Sequence, residues 1–248
     1  DGTVGDIVAH DDVPAIVGDG QSPRVEADTN LRLCFIVDTS GSMGYGEEGQ
    51  TRLQYAKSIV GTLAYLATQQ GDAAGLWGVG KDHRQKIPAK RGAAHLRLIL
   101  DQLAGIESKG ETTVLESLHE AAEQVSQRAL VVVVSDFFIE PAELKHALEH
   151  LKFRRHDIAL FHLLDPAELK FDFDRPARCV DMEDGETMMV DPALIARRYR
   201  EVVKKYLSDL DEVIRTTGAD YHRVTLETPY EDVLAKFLLA RLQSKGRR

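Results

Sequence analysis

The sequence predicts an α/β fold, a three-layer arrangement in which a mostly parallel central sheet is covered by helices on both faces. Three observations carry this. Residues 31–37 and 130–135 are almost unbroken apolar runs, as expected of strands buried on both sides. Each run is closed by an aspartate, Asp38 or Asp136, at the start of a loop. Strand-like runs then alternate with segments whose apolar residues recur every three or four positions, the rhythm of right-handed β-α-β crossovers.

The elements follow in order. Residues 1–30 lack a helical period and contain Pro14, Pro23 and several glycines, so they read as an irregular or strand-like lead-in to a domain over residues 31–248. After the first strand, Leu53, Ala56, Val60, Leu63, Ala64 and Ala67 form one helical face that Gly71 terminates. Residues 73–79 read as a second strand, with residues 85–87 as a short extension beside it. Helical periods return at 94–103 and 113–125. The run 130–135 precedes a helix over 141–151, with Pro141 suited to its first turn, and a strand at 158–164. Residues 165–191 break the rhythm with Pro166, Pro176 and short β-like pieces near 179–182 and 188–190, as an inserted hairpin would. A long helix over 192–217, a short strand at 224–226, a helix at 233–242 and a basic tail complete the chain.

Bulk properties narrow the function. The net charge of −9 and the lack of a long basic block argue against nucleic-acid binding, which needs clustered Lys and Arg on phosphates. No apolar stretch approaches the roughly 18 to 20 residues that cross a bilayer. Cys34 and Cys179 stand far apart without the spacing of a zinc clip or redox pair, which predicts buried thiols in a reducing, cytoplasmic setting.

The chemistry concentrates at the carboxyl ends of the strands, where open α/β sheets bind ligands. Asp38, Ser40 and Ser42 alternate in a D-x-S-x-S pattern, so an extended turn can aim three oxygens to one side. The loop Gly110-Glu111-Thr112-Thr113 offers hydroxyls, and Asp136 a second carboxylate. Such an all-oxygen set suits a hard ion, Mg²⁺ or Mn²⁺. The plainer alternative is a polar turn that caps the next helix.

These residues resemble the von Willebrand factor type A superfamily, and more closely the bacterial family called domain of unknown function 58. The resemblance runs over about residues 24–244. It rests on Asp38-Thr39-Ser40-Gly41-Ser42-Met43, Tyr65-Leu66-Ala67 leading to Gly71-Asp72, Arg91-Gly92 with His95-Leu96, the 110–113 loop, Val134-Ser135-Asp136-Phe137, and Leu163-Leu164-Asp165-Pro166-Ala167-Glu168. It implies a metal-ion-dependent adhesion site in which Ser40, Ser42 and Thr112 bind the ion directly, while Asp38 and Asp136 act mostly through water or hydrogen bonds. The family's loop often carries an acid where Thr113 stands. The basic and aromatic segment usual before the first strand is not evident in residues 1–23. Kinship further implies a protein partner that supplies an Asp or Glu to the metal, and work beside a MoxR-type AAA+ ATPase in assembling or activating protein complexes.

Other signals weigh less. The run from Gly75 to Lys81 mimics a phosphate-binding loop, but Asp82 stands where a magnesium-binding hydroxyl belongs and no helix follows. His146-Ala147-Leu148-Glu149-His150 fits an inverted zinc-peptidase pattern without a clear third ligand. A phosphatase built on Asp38 would need a carboxylate at Ser40. A metal-dependent hydrolase remains the alternative to a binding module, with Glu47, Glu48 and Glu111 as candidate bases. Trp77 reads as core. Phe137 and Phe138 read by default as buried, with partner contact as their other use.

Overall fold

The structure, a computed structural model, describes residues 31–47, 50–81, 83–170, 177–180, 187–190 and 192–245. The expected lead-in over residues 1–30 lies outside them, as do the last three residues of the basic tail. In chain order the elements are β1 (Arg32–Asp38), a 3-10 turn (Gly41–Gly44), β2 (Gly46–Glu47), β3 (Gln50–Thr51), α1 (Arg52–Gln69), β4 (Ala73–Gly80) and β5 (His83–Lys90). Then come α2 (Ala93–Gly105), α3 (Val114–Gln124), β6 (Leu130–Ser135), α4 (Pro141–Phe153), β7 (Asp157–Leu164) and α5 (Pro166–Lys170). The chain continues through β8 (Ala177–Val180), β9 (Thr187–Val190), α6 (Pro192–Thr217), β10 (Asp220–Thr225) and α7 (Tyr230–Lys245).

Six strands form the main sheet in the order β10-β7-β6-β1-β4-β5. All neighbours are parallel except β4 and β5. The unbroken apolar runs are explained by the two cores. Leu33, Phe35 and Val37 of β1 and Val132 and Val134 of β6 pack on one face with α1, α2 and α7. Cys34 and Ile36, with Val131 and Val133, pack on the other with α3, α4 and α6. Alternate side chains thus enter different cores, so every position of a central strand must be apolar. Burial pushes the Cys34 thiol up to about 12, which keeps it protonated. The side chain of Cys179 lies outside the description.

Several elements exceed their sequence signals. The short extension at 85–87 is part of an eight-residue edge strand, β5. Its signal is weak because it covers only one flank of the sheet, with Ile87 turned into the core. Gly75 in β4 permits the approach: a Cβ there would stand 2.7 Å from the Ala89 nitrogen. The phosphate-loop mimic is therefore a buried strand followed by another strand. Trp77 is core as expected, with the Lys86 ammonium 4.4 Å from its ring centroid. The last strand begins earlier than expected, at Asp220, and Leu226 falls just beyond it. This edge strand buries only Val224 fully, so its alternation is faint in the sequence. The short helix α5 was not expected; Asp165 Oδ1 accepts from Ala167 N at 2.7 Å and Pro166 opens the turn. Within residues 165–191, β8 and β9 pair antiparallel. No helix among the described residues is long and apolar enough to cross a membrane.

His162 on β7 is fully buried, with its Nδ1 2.6 Å from the Tyr221 hydroxyl. Burial pushes its pKa from the ordinary 6.5 down to about 3. As pH falls, the unfolded chain therefore takes the proton first. The stability that depends on neutral His162 is complete above 6.5 and is lost as pH drops from there toward about 3. One such proton gives a slope of about 1.4 kcal/mol per pH unit. Urea denaturation at a series of pH values between these limits should show His162→Gln with a shallower acid slope than the parent. The flattening is partial, because burial also lowers His156 and His222.

Candidate metal centre

The strand order places the site. From β1 the chain moves to β4 on one side and later returns to β6 on the other. Successive crossovers diverge at that reversal and leave a crevice beyond the carboxyl ends of the two strands. Asp38 ends β1, and Asp136 directly follows β6.

Asp38 is 1% exposed and its carboxylate organises three segments. Oδ1 accepts from Ser40 N at 2.9 Å, while Oδ2 accepts from Ser135 Oγ at 2.7 Å and Thr112 Oγ1 at 3.1 Å. Beyond it the chain tightens into the 3-10 turn, which buried Met43 anchors in the core. This turn sets Ser40 Oγ 3.1 Å from Ser42 Oγ. The 110–113 loop is held by backbone bonds: Lys109 N donates to Thr39 O at 2.8 Å, Gly41 N to Gly110 O at 2.7 Å, and Lys81 N to Glu111 O at 3.0 Å. Gly110 adopts φ +71°, a conformation that favours glycine. The loop turns Thr112, rather than Thr113, toward Asp38. The Thr113 hydroxyl is buried without a hydrogen-bond partner among the described residues.

Asp136 is 2% exposed, and its main partner is Arg52, a residue that the sequence reading did not single out. Arg52 opens α1 behind a capping box of Thr51 and Gln54, and the β2–β3 pair folds it back under the serine turn. Its side chain is only 1% exposed. Nη1 donates to Asp136 Oδ2 at 3.1 Å and to the Ser42 carbonyl at 2.9 Å, and Nη2 pairs with the Glu168 carboxylate. The rings of Tyr45 and Phe138 flank it, with centroids 5.1 and 5.5 Å from its central carbon. An arginine at a helix start reads as solvated, so the sequence carries no local sign of this burial. Glu168 and Ser135 were visible only as parts of longer motifs. After Asp136 the backbone reverses through Phe137, at φ +50°, which is buried, whereas Phe138 is 52% exposed. The default expectation that both rings are buried is thus right for the first and wrong for the second.

Burial raises the pKa of Asp38, opposed by its hydrogen bonds from Ser135, Ser40 and Thr112. Asp136 rises to about 6, through burial first and the neighbouring Asp38 charge second, against the pull of Arg52. When ionised, Asp38, Asp136 and Glu168 carry three negative charges, against the Arg52 guanidinium that pairs with the last two. The remainder is what one divalent cation balances. Neighbouring vertices of an octahedron with bonds of about 2.1 Å lie about 3.0 Å apart, close to the separation of the two serine oxygens. The donors therefore fit a hard divalent ion in both charge and spacing. The histidines of the H-x-x-E-H segment do not converge with a third donor: His150 Nδ1 lies 3.1 Å from His119 Nδ1, and His146 is exposed. Among the described residues no group of three or more His, Cys, Asp or Glu is placed to hold a metal.

Removing one partner of a buried ion pair costs about 3–5 kcal/mol, because the other charge is left bare. Arg52→Met should therefore lower stability in metal-free buffer by about that amount, whereas Arg52→Met combined with Asp136→Asn should lose clearly less. Denaturant titration of the two single variants and the double variant measures the coupling. A coupling near zero would show that the pair does not hold the loop.

The comparisons with known proteins agree on the fold. The conserved hypothetical protein BatB from Bacteroides thetaiotaomicron aligns with TM-score 0.58 and 14% identity, over 86% of this chain and 99% of its own. An aerotolerance-related membrane protein from Bacteroides fragilis aligns at 0.52 and 17%, over 78% of this chain and 91% of its own. The SpRpn10 VWA domain aligns at 0.50 and 13%, over 83% and 94% respectively. At these identities the likeness is one of fold, a von Willebrand factor A-like α/β sandwich. No curated protein matches the chain in sequence. The family model described as "Protein of unknown function DUF58" matches residues 17–208, most of the chain, and the chain belongs to that family.

Proposed function

We propose that this chain is a divalent-metal-dependent protein-interaction module, with Mg²⁺ or Mn²⁺ at the sheet end. The observation that carries the reading is the pair of serine hydroxyls, 3.1 Å apart, set over buried Asp38 and Asp136 at the reversal of strand order. Ser40, Ser42 and Thr112 hold the ion directly. Asp38 orients the Thr112 hydroxyl and the serine turn, and Asp136 acts from the next layer, steadied by Arg52. The bound ion supplies an electrophilic position for an Asp or Glu of the partner, its charge little diminished by neutral hydroxyl ligands. Phe138, half-exposed beside Arg52, is placed to touch whatever docks there.

Membership of the family supports a finer reading: an adaptor that works with a MoxR-type AAA+ ATPase in assembling or activating protein complexes. The hydrolase alternative needs a general base beside the ion. The Glu111 side chain is 60% exposed and pairs outward with Lys81, Glu47 is exposed, and Glu48 lies outside the described residues. Binding is therefore the reading that this geometry favours.

Isothermal titration of Mg²⁺ and Mn²⁺ into chelator-stripped protein should show saturable one-site binding, weakened at least about tenfold in a folded Ser40→Ala, Ser42→Ala variant. Absence of binding by the parent protein up to about millimolar ion, the weak end for metal modules, would overturn the reading. Capture of a purified MoxR-type ATPase should be stronger in Mg²⁺ than in chelator. Equal capture in both would separate any such partnership from the metal.

A further inference from the structure

An apolar groove begins one side chain away from the metal centre. It encloses about 390 Å³ between α5, α6 and the loop after β6. Leu164, Leu169, Val203 and Leu207 are among the residues that line it. Its wall arises from the length of α6. The apolar stripe of that helix packs into the core at Leu210 and Val213, but from Tyr199 to Leu207 the same stripe faces the groove. Val202, also on this wall, is 59% exposed.

Two residues belong to both places. Phe138 lines the groove and stacks against the Arg52 guanidinium. Glu168 lines the groove and pairs with that same guanidinium, which in turn holds Asp136. The groove and the hydroxyl cluster are therefore continuous along one surface. Their chemistry is opposite. The acids on the groove, Glu140 and Glu168, repel a carboxylate, while its apolar walls reward a side chain without charge.

We propose that the groove is a second subsite for the same partner, taking a bulky apolar side chain from the polypeptide segment whose Asp or Glu reaches the metal. The inference rests on the metal-dependent reading above and adds the chemistry of the partner to it. Recognition is then a two-point code, one acid and one large apolar residue at a fixed separation. A carboxylate alone, common on protein surfaces, satisfies half of it.

The test uses the full chain and fluorescent peptides with a single Asp in a Gly-Ser background. One Leu or Phe is scanned through the eight positions on either side of the Asp, and binding is read by polarisation in Mg²⁺ and in chelator. At one or two spacings the apolar residue should tighten Mg²⁺-dependent binding at least about tenfold over the Asp-only peptide. Val202→Glu should abolish that gain and leave the calorimetric Mg²⁺ titration unchanged. If Val202→Glu lowers the melting midpoint, Val203→Ser serves in its place. Equal affinity across the scan, or binding by no peptide, with the Mg²⁺ titration intact, overturns the groove and leaves the metal reading standing. An apolar gain that survives in chelator, removed by Val202→Glu, supports the groove and overturns the metal's part.

Discussion

Asp38 and Asp136 are each almost wholly removed from water, and a buried carboxylate is tolerated only where donors or cations replace its hydration. Much of the architecture at this end of the sheet does that work. The serine turn presents a backbone N–H, β6 contributes the Ser135 hydroxyl, the 110–113 loop brings the Thr112 hydroxyl, and α1 brings a guanidinium. Four separate parts of the chain converge on two side chains. Their positions are consequently determined by electrostatics as much as by packing.

Arg52 gives the arrangement its particular character. It occupies one oxygen of Asp136, while Asp136 Oδ1 accepts a long bond, 3.3 Å, from Phe138 N, and the Ser42 side chain also hydrogen-bonds this carboxylate. It also grips the Ser42 carbonyl, so the turn and the second acid are tied to each other independently of any ion. A fixed positive charge beside a cation site weakens the attraction for the ion while lowering the cost of burying the acids. On the proposed metal-dependent reading, that balance would favour a site preformed in shape and moderate in affinity. The other terminal nitrogen of Arg52, Nη2, pairs with Glu168, so the same guanidinium relates the sheet end to α5.

Much of the fold was legible in the sequence because the central strands are buried on both faces. β1 and β6 cannot be mistaken for surface when every residue from Leu33 to Val37 and from Leu130 to Val134 is apolar. Edge elements were harder to read, since β5 and β10 carry polar residues that suit solvent as well as a ladder. Spacing alone pointed to Asp38, Ser40, Ser42 and Asp136, because alternate residues of a turn and the ends of neighbouring strands obey simple geometry. Thr112 needed a family resemblance, as nothing local distinguishes its hydroxyl from that of Thr113. Arg52 was invisible for a physical reason: its burial depends on three distant partners, and no local pattern records their convergence.

The reversal at Phe137 has a consequence for how this surface can change over evolutionary time. Phe137 fills the core beneath the sheet end, its neighbour Phe138 stands outside, and the Tyr206 hydroxyl donates to the Phe137 carbonyl between them. Inside and outside are thus assigned by a single peptide unit. Insertion of one residue between Asp136 and Phe137 would put the new side chain at the buried position and push the Phe137 ring to the outside. The spacing from Asp136 to Phe138 is therefore constrained more tightly than the identity of the exposed residue. If the proposed partner surface holds, new specificities would arise by substitution at Phe138 and along α6, with the spacing from Asp136 to Phe138 preserved.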